Sequence, residues 1–551
     1  MKRLALLALL TSTLGFGQIS KIAPDLLNLL KGLTQPVDVV IQYNNTPGLL
    51  ELGKLLTLGG LIKTQYNLIP AVSATLPSAV VAVLALDPNV AYISPDRELK
   101  GTVDLTTATS NADQAIQSGW TGAGIGIAIV DSGIYAHPDL AGRIVYSQSF
   151  VRKTNADDYG HGTHVAGIAA GSGASSTGPH FTQSFRGVAP GASLIDLRVL
   201  DANGMSSDSV VIAAIDRAMA LKSKFNIRVI NLSLGRPIHE SASLDPICAA
   251  VAAAWKNGIV VVVAAGNLGR NGYGTILSPG NSPYAITVGA MKSEGTPNRG
   301  DDLIASYSSK GPTWIDFEAK PDIVAAGNLV GSLLAPGSTL AKEYPGNVIP
   351  ASAYILPGYS AAPEYFTLSG TSMATPVVSG AAAILIQAEP SLTPDTIKAR
   401  LMKTASKTFP LTSIAVDSTT GQVYPSTYDM FTIGAGYLDI YAALNNRDTG
   451  RGVALSPIAV WNPVLSTALL FKSASSLWDN GTWSLLNVWG THSIHPLING
   501  TSAAWGDGGI WGSSAAWGDS TKWGTSAAWG DSTGWGSSAA WGDSLSANGE
   551  K

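Results

Sequence analysis

The sequence predicts an α/β fold: a parallel sheet with helices on both faces, preceded by a small ferredoxin-like α+β unit and followed by a Trp/Gly-rich, β-type repeat tail. Three observations carry this. Between residues 125 and 290, short Val/Ile-rich runs alternate with helical stretches, the pattern of strands covered on both faces. Residues 37–99 read as β-α-β-β-α-β within a short span. Beyond Arg447 helix signals fade, and Trp505, Trp511, Trp517, Trp523, Trp529, Trp535 and Trp541 recur every six residues, each followed by Gly.

The elements follow in chain order. Met1-Lys2-Arg3, an apolar run from Leu4 to Leu10, and small residues up to Gly17 have the order of a secretory signal peptide, residues 1–17. The protein is therefore expected to be secreted and extracellular. The apolar run Gly258–Ala265 is far below the ~20 residues of a membrane-spanning helix, so no transmembrane segment is expected. Residues 18–101 hold the small unit. Its strands are expected at Val37–Tyr43, Leu61–Leu68, Ala71–Leu76 and Val90–Ser94, and its helices at Gly48–Leu58 and Ser78–Leu86. The polar stretch from Thr102 to Gly122, with a short helix near Gln114, suits a processing junction.

The α/β domain then spans residues 102–446. Strands are expected at Ile125–Val130, Leu194–Leu200, Arg228–Leu232, Ile259–Ala264 and Ala285–Val288. Helices are expected at His164–Ala170, Ser209–Lys222 and Asp245–Lys256. Residues 447–551 form the repeat region. Six steps of ~100° cannot align side chains on a helix, whereas an even spacing puts them on one face of a strand. The tryptophans would pack on each other or on the domain, or present a row of rings to a glycan or cell surface.

Composition narrows the function. Only 13% of the 551 residues are charged, about half the usual share. The net charge of −4 and a pI near 6.0, with no basic run, exclude a nucleic-acid footprint. A single cysteine, Cys248, excludes an intramolecular disulfide framework, a Cys-based zinc site and iron–sulfur clusters.

Four stretches carry chemistry. Ile127-Ala128-Ile129-Val130-Asp131-Ser132-Gly133 ends an apolar strand in Asp131, where open α/β sheets place catalytic groups; alone, Asp131 reads as a loop cap. Tyr159-Gly160-His161-Gly162-Thr163-His164 offers His161, just before a helix, as a general base. His164, one turn on, packs or bonds within the helix. A metal reading of the pair lacks a third ligand and a His-Glu-x-x-His pattern, so no metal site is expected. Ala264-Ala265-Gly266-Asn267 ends a Val-rich strand in an amide able to donate to an oxyanion, or in a turn residue. Ser369-Gly370-Thr371-Ser372-Met373-Ala374-Thr375-Pro376 opens an apolar helix whose positive end favours negative charge beside Ser372. Pro376 is expected in the first turn, where amides lack intrahelical partners.

In the order Asp131, His161, Asn267, Ser372, these stretches together resemble the subtilisin family of serine proteases, over about Gln114 to Leu444. Arg186-Gly187-Val188-Ala189-Pro190, Asn231-Leu232-Ser233-Leu234-Gly235, Ser309-Lys310-Gly311-Pro312 and Lys320-Pro321-Asp322 also look like the family. The resemblance implies a serine endopeptidase with protein or peptide substrates. Ser372 would be the nucleophile, His161 its base and Asp131 the orienting acid, with Asn267 and the Ser372 amide as the oxyanion hole. Ser233, Leu234 and Gly235 with Ala264, Ala265 and Gly266 would flank the substrate. It also implies that residues 18–101 are an inhibitory, chaperone-like propeptide removed by the enzyme itself. No cofactor is required for this chemistry. Asp139 matches a family calcium ligand, but Gly171–Ser184 replaces the loop that supplies its partners, which leaves a structural calcium ion open rather than implied. Leu277 lies near a pocket-floor Gly of the family; pointing inward, it would make the pocket shallow.

Two rival classes are an adhesion protein without catalysis and an esterase using the same groups. The intact Asp131, His161 and Ser372 oppose the first. The second is opposed by the Asp-first order and the lack of Gly-x-Ser-x-Gly around Ser372.

Overall fold

Alternation decides the first strand: in β1 (Val37–Tyr43) Val39 and Ile41 are fully buried while Asp38, Val40 and Gln42 beside them are not. The computed structural model describes residues 21–490 and Glu550, apart from residues 24–25, 28–29, 31–34, 67–69, 96–104, 152–153, 155, 418–420, 463–466, 474–475 and 479–480. The first 17 residues and the tryptophan ladder from Trp505 to Trp541 lie outside the described residues.

Two units divide at Lys100/Gly101. In the first, β1 is followed by α1 (Leu49–Thr57), β2 (Leu61–Gln65), β3 (Ala71–Leu76), α2 (Ser78–Leu84) and β4 (Val90–Pro95). The strands form one antiparallel sheet in the order β2-β3-β1-β4. Glu51 accepts from the Gly48 amide at 2.9 Å and so caps α1. Leu55, Val72, Ala74, Leu76, Val81 and Ile93 join Val39 and Ile41 in this unit's own core.

The second unit opens with α3 (Leu105–Thr109) and α4 (Ala112–Gln117). Its sheet contains β5 (Gly126–Asp131), β6 (Ile144–Ser149), β7 (Ser193–Arg198), β8 (Ile227–Leu232), β9 (Val260–Ala264), β10 (Ile286–Lys292), β11 (Leu303–Ile304) and β12 (Ile323–Ala326). The order is β11-β10-β9-β8-β5-β7-β6, with β12 also on β10. Every pairing is parallel except β10 with β11. Each residue of β5 and β9 is buried, which requires cover on both faces. Two packed helix pairs supply it: α5 (His161–Ala170) with α8 (Thr371–Ala388), and α6 (Asp208–Phe225) with α7 (Pro246–Lys256). Among the described residues α8 is the helix long and apolar enough to cross a membrane, yet 89% of it is buried in this core. β6 was not legible in the sequence, because its polar Tyr146-Ser147-Gln148 reads as loop; pairing with β7 at the sheet edge makes it a strand.

The expected boundary after Asn446 is corrected. The helices α9 (Pro394–Thr404) and α10 (Ile440–Asn445) are followed by the hairpin β18 (Ile458–Asn462) and β19 (Thr467–Phe471) and the short helix α11 (Leu485–Trp489), after β13 (Val330–Leu333), β14 (Val348–Ile349), β15 (Tyr365–Leu368), β16 (Thr412–Val416) and β17 (Val423–Thr427). Trp478, Trp483 and Trp489 are each 1% exposed and share a core with Met402 and Phe431. Two of the ring N–H groups are bonded, Trp478 to Leu455 O at 2.5 Å and Trp483 to Thr449 O at 3.1 Å, whereas Trp489 Nε1 has no partner among the described residues. Ser456 donates to the buried Asp322 at 2.8 Å, where Lys320 (2.6 Å) and Lys398 (3.0 Å) also converge. The change of composition at 447 is thus a change of core filling, from Val and Ala to Trp. It does not mark the end of the folded unit.

Candidate active site

The C-terminal ends of three neighbouring strands, β9, β8 and β5, supply the first groups. Asp131 is the last residue of β5 and is fully buried. His161 Nδ1 lies 2.7 Å from Asp131 Oδ1, which also accepts from the Ser132 amide at 2.8 Å. A carboxylate there fixes Nδ1 as the protonated nitrogen and leaves Nε2 as the basic one. Asp131 Oδ2 is buried with no hydrogen-bond partner among the described residues, so its charge is not dispersed by a second donor.

The helix begins at His161 itself, with Gly160 as its cap, rather than at His164 as the sequence suggested. The close approach of α5 to β5 needs Gly162, since a Cβ there would stand 2.3 Å from Gly133 O and 3.1 Å from Asp131 Cβ. His164 reaches out of its own helix: Nε2 faces Val330 O (3.1 Å) and Phe366 O (3.0 Å). Burial pushes its pKa down to about 3, so it is a neutral donor that ties α5 to β13 and β15.

Burial alone would lower the pKa of His161. The bonded Asp131 and the nearby Asp157 outweigh it and hold the imidazole above its ordinary value. Asp157 was missed by sequence reasoning, although it stands only four residues before His161. Its Oδ1 accepts from Ser132 Oγ (2.8 Å) and Gly160 N (2.7 Å), and its Oδ2 from Thr163 N (2.9 Å) and Thr163 Oγ1 (2.5 Å). It thereby clamps the loop after Asp131 to the first turn of α5.

Ser372 is the second residue of α8. Its hydroxyl donates to Ser233 O at 3.2 Å, and Ser233 Oγ donates back to Ser372 O at 2.9 Å. Pro376 explains the second bond. It is the sixth residue of α8, past the first turn where it was expected. It has no N–H for the carbonyl four residues earlier, which is that of Ser372. Ser233 fills that acceptor, and Asn231, bonded to both Ser233 and Ser379, braces it.

Asn267 follows β9. Its Oδ1 accepts from Thr371 N (2.8 Å) and Thr371 Oγ1 (3.1 Å). With the oxygen so held, the amide NH2 must face the other way, and Nδ2 lies 3.1 Å from where a Gly370 Cβ would sit. Gly266 N donates to Thr371 Oγ1 at 3.1 Å, and the carbonyls of Ala265 and Gly266 accept from Leu277 (3.0 Å) and Ser309 (2.9 Å). The 264–266 segment is thus a braced wall. Leu277 is 6% exposed, and its side chain lies against both Gly266 and Gly235.

Residues 122–427 match the family model described as the Subtilase family. The chain belongs to the subtilase family. This subtilase is 40% identical over 358 residues to serine protease AprX of Bacillus subtilis (strain 168), covering 63% of this chain and 76% of that one. It is 34% identical over 356 residues to Subtilisin E of the same strain, with 63% and 78% covered. It is 34% identical over 347 residues to an alkaline protease of Shouchella clausii, with 62% and 76% covered. The solved structure of Sphericase matches at 31% identity and a TM-score of 0.44, over 58% of this chain and 92% of that one. The subtilase is accordingly a subtilisin-like serine endopeptidase, acting on peptide bonds through an Asp-His-Ser triad.

Proposed function

We propose that the triad is Asp131, His161 and Ser372, in a secreted endopeptidase made as a zymogen that processes itself. Ser372 Oγ attacks the peptide carbonyl, His161 Nε2 takes its proton and returns it to the leaving amine, and Asp131 stabilises the imidazolium formed in between. The acyl-enzyme is then hydrolysed by water along the same proton route. The observation that carries this is the buried 2.7 Å Asp131–His161 bond on a helix packed against the helix of Ser372. Casein hydrolysis by the processed enzyme, blocked by a serine-directed phosphonate that labels Ser372, tests it. No hydrolysis, or label on another serine, sinks the assignment.

Asn267 Nδ2 and the Ser372 amide are proposed to receive the oxyanion. Asn267→Ala should lower kcat by about 10² to 10³ with little change in KM, because the charge develops only after attack. An unchanged kcat with a raised KM would reassign Asn267 to substrate binding.

Ser233, Leu234 and Gly235 on one side and Ala264, Ala265 and Gly266 on the other are proposed to flank the substrate. Leu277 then fills the slot between them: a Cβ on Gly266 would stand 2.7 Å from Leu277 Cγ, and one on Gly235 3.0 Å from Leu277 Cβ. Small side chains should be preferred beside the scissile bond. Leu277→Gly should raise kcat/KM for a Phe substrate relative to its Ala counterpart by about 10- to 200-fold. An unchanged ratio on matched peptides would show that Leu277 lies outside the pocket.

The charged, apolar, small-residue order of residues 1–17 supports export, and the separate unit ending at Lys100 supports a removable propeptide. No cofactor enters this chemistry. Asp139 is proposed to order its loop without a cation, since its two oxygens already accept from Ser175 N (2.7 Å) and Tyr365 Oη (2.8 Å).

A further inference from the structure

Glu550, the acidic residue that follows the tryptophan repeat, is buried in the second unit at 8% exposure. Its carboxylate accepts from the Ser306 amide at 3.1 Å (Oε1) and 3.2 Å (Oε2), and Oε1 also accepts from the Ser306 hydroxyl and from Arg270 Nη2 at 3.2 Å. Its peptide group is held as well. Glu550 N–H donates to Asn328 Oδ1 at 2.8 Å, and Glu550 O accepts from Asn328 Nδ2 at 2.8 Å. One amide side chain paired with both backbone groups of a single residue fixes where that residue sits. The guanidinium, hydroxyl and amide converging on the carboxylate fix its charge and its length.

The cradle is braced from outside. Arg270 Nε donates to Ser306 Oγ at 2.9 Å, Arg270 Nη1 reaches Asp417 at 3.3 Å, and the guanidinium lies 4.5 Å from the Tyr424 ring centroid. Its position is also informative. Arg270 stands three residues past Asn267. Asn328 follows Gly327, whose carbonyl accepts from Gly370 N at 2.8 Å, and the next amide, Leu329 N, donates to Ser369 Oγ at 2.8 Å. Glu550 therefore bridges the loop after Asn267 and the turn that holds the approach to Ser372.

We propose that Arg270, Ser306 and Asn328 form a receptor for a peptide glutamate, that its occupant is this chain's own Glu550, and that this clip returns the far side of the repeat to the two loops beside Ser372. The clip does not depend on the proteolytic roles assigned above.

Hydrogen exchange on the full chain tests it, in a Ser372→Ala background so that self-digestion does not intervene. Glu550→Ala should raise amide exchange about tenfold in peptides covering 268–272, 304–308 and 327–330, and leave β5 and β9 unchanged. Glu550→Asp, one methylene shorter, should not restore protection, whereas Glu550→Gln should restore part of it by keeping the side-chain bonds to Ser306. Protection in the parent should survive tenfold dilution. No rise in the Ser306 peptide, or a rise spread evenly over the second unit, overturns the receptor. Protection lost on dilution overturns the intrachain occupant.

Discussion

Ser372→Ala in the full-length chain is expected to abolish casein hydrolysis, with a loss in kcat of roughly 10⁶-fold, the size seen for the corresponding change in a subtilisin and carried over here. It should also leave the precursor uncut near Thr102–Ser110. The neighbouring hydroxyls are not expected to replace the proposed nucleophile: Thr371 Oγ1 is bonded to Asn267 and Gly266, and Thr375 Oγ1 donates back to Thr371 O at 2.8 Å. Purified mutant protein that still matures in the absence of other proteases would show that the enzyme does not process itself.

Truncation after Asn446 is expected to destroy the folded second unit, and activity with it. The cut removes Trp478, Trp483 and Trp489, all buried against Met402 and Phe431. Losing one buried Trp side chain costs about 3–5 kcal/mol, and three such losses approach or exceed the ~5–15 kcal/mol net stability of a whole domain. Ser456 would also leave Asp322, and Lys407 would lose the Val488 carbonyl it reaches at 2.7 Å. A truncated protein with unchanged melting temperature would mean that these rings stabilise nothing beyond their own segment.

The proposed reacting groups each lie in a short, self-contained stretch. Asp131 ends an unbroken apolar run, and His161 and Ser372 lie in the first turn of helices capped by glycine, so the stretches are recognisable when taken together. What the sequence hid depends on partners distant in the chain. Pro376 looked like a tolerated first-turn proline; its effect is visible only once Ser233, just beyond β8, is seen bonded to the carbonyl it frees. Asp157 carries no local signal; its part is visible only once Ser132 and Thr163 are seen bonded to it. The fold followed the same division. Strands buried on both faces announced themselves by Val and Ile, whereas β6 needed β7 beside it. Trp478, Trp483 and Trp489 fall within the expected repeat region although they belong to the core.

That core has a consequence for the timing of synthesis. A chain emerging from the ribosome or an export channel presents Asp131, His161, Asn267 and Ser372 long before Trp489. Until Trp489 is free, the inner faces of Met402 and Phe431 stay wet, and α9 lacks the rings that seal it. The folded unit therefore includes residues made after all of the proposed reacting groups. The enzyme is accordingly not expected to cut before Trp489 has emerged.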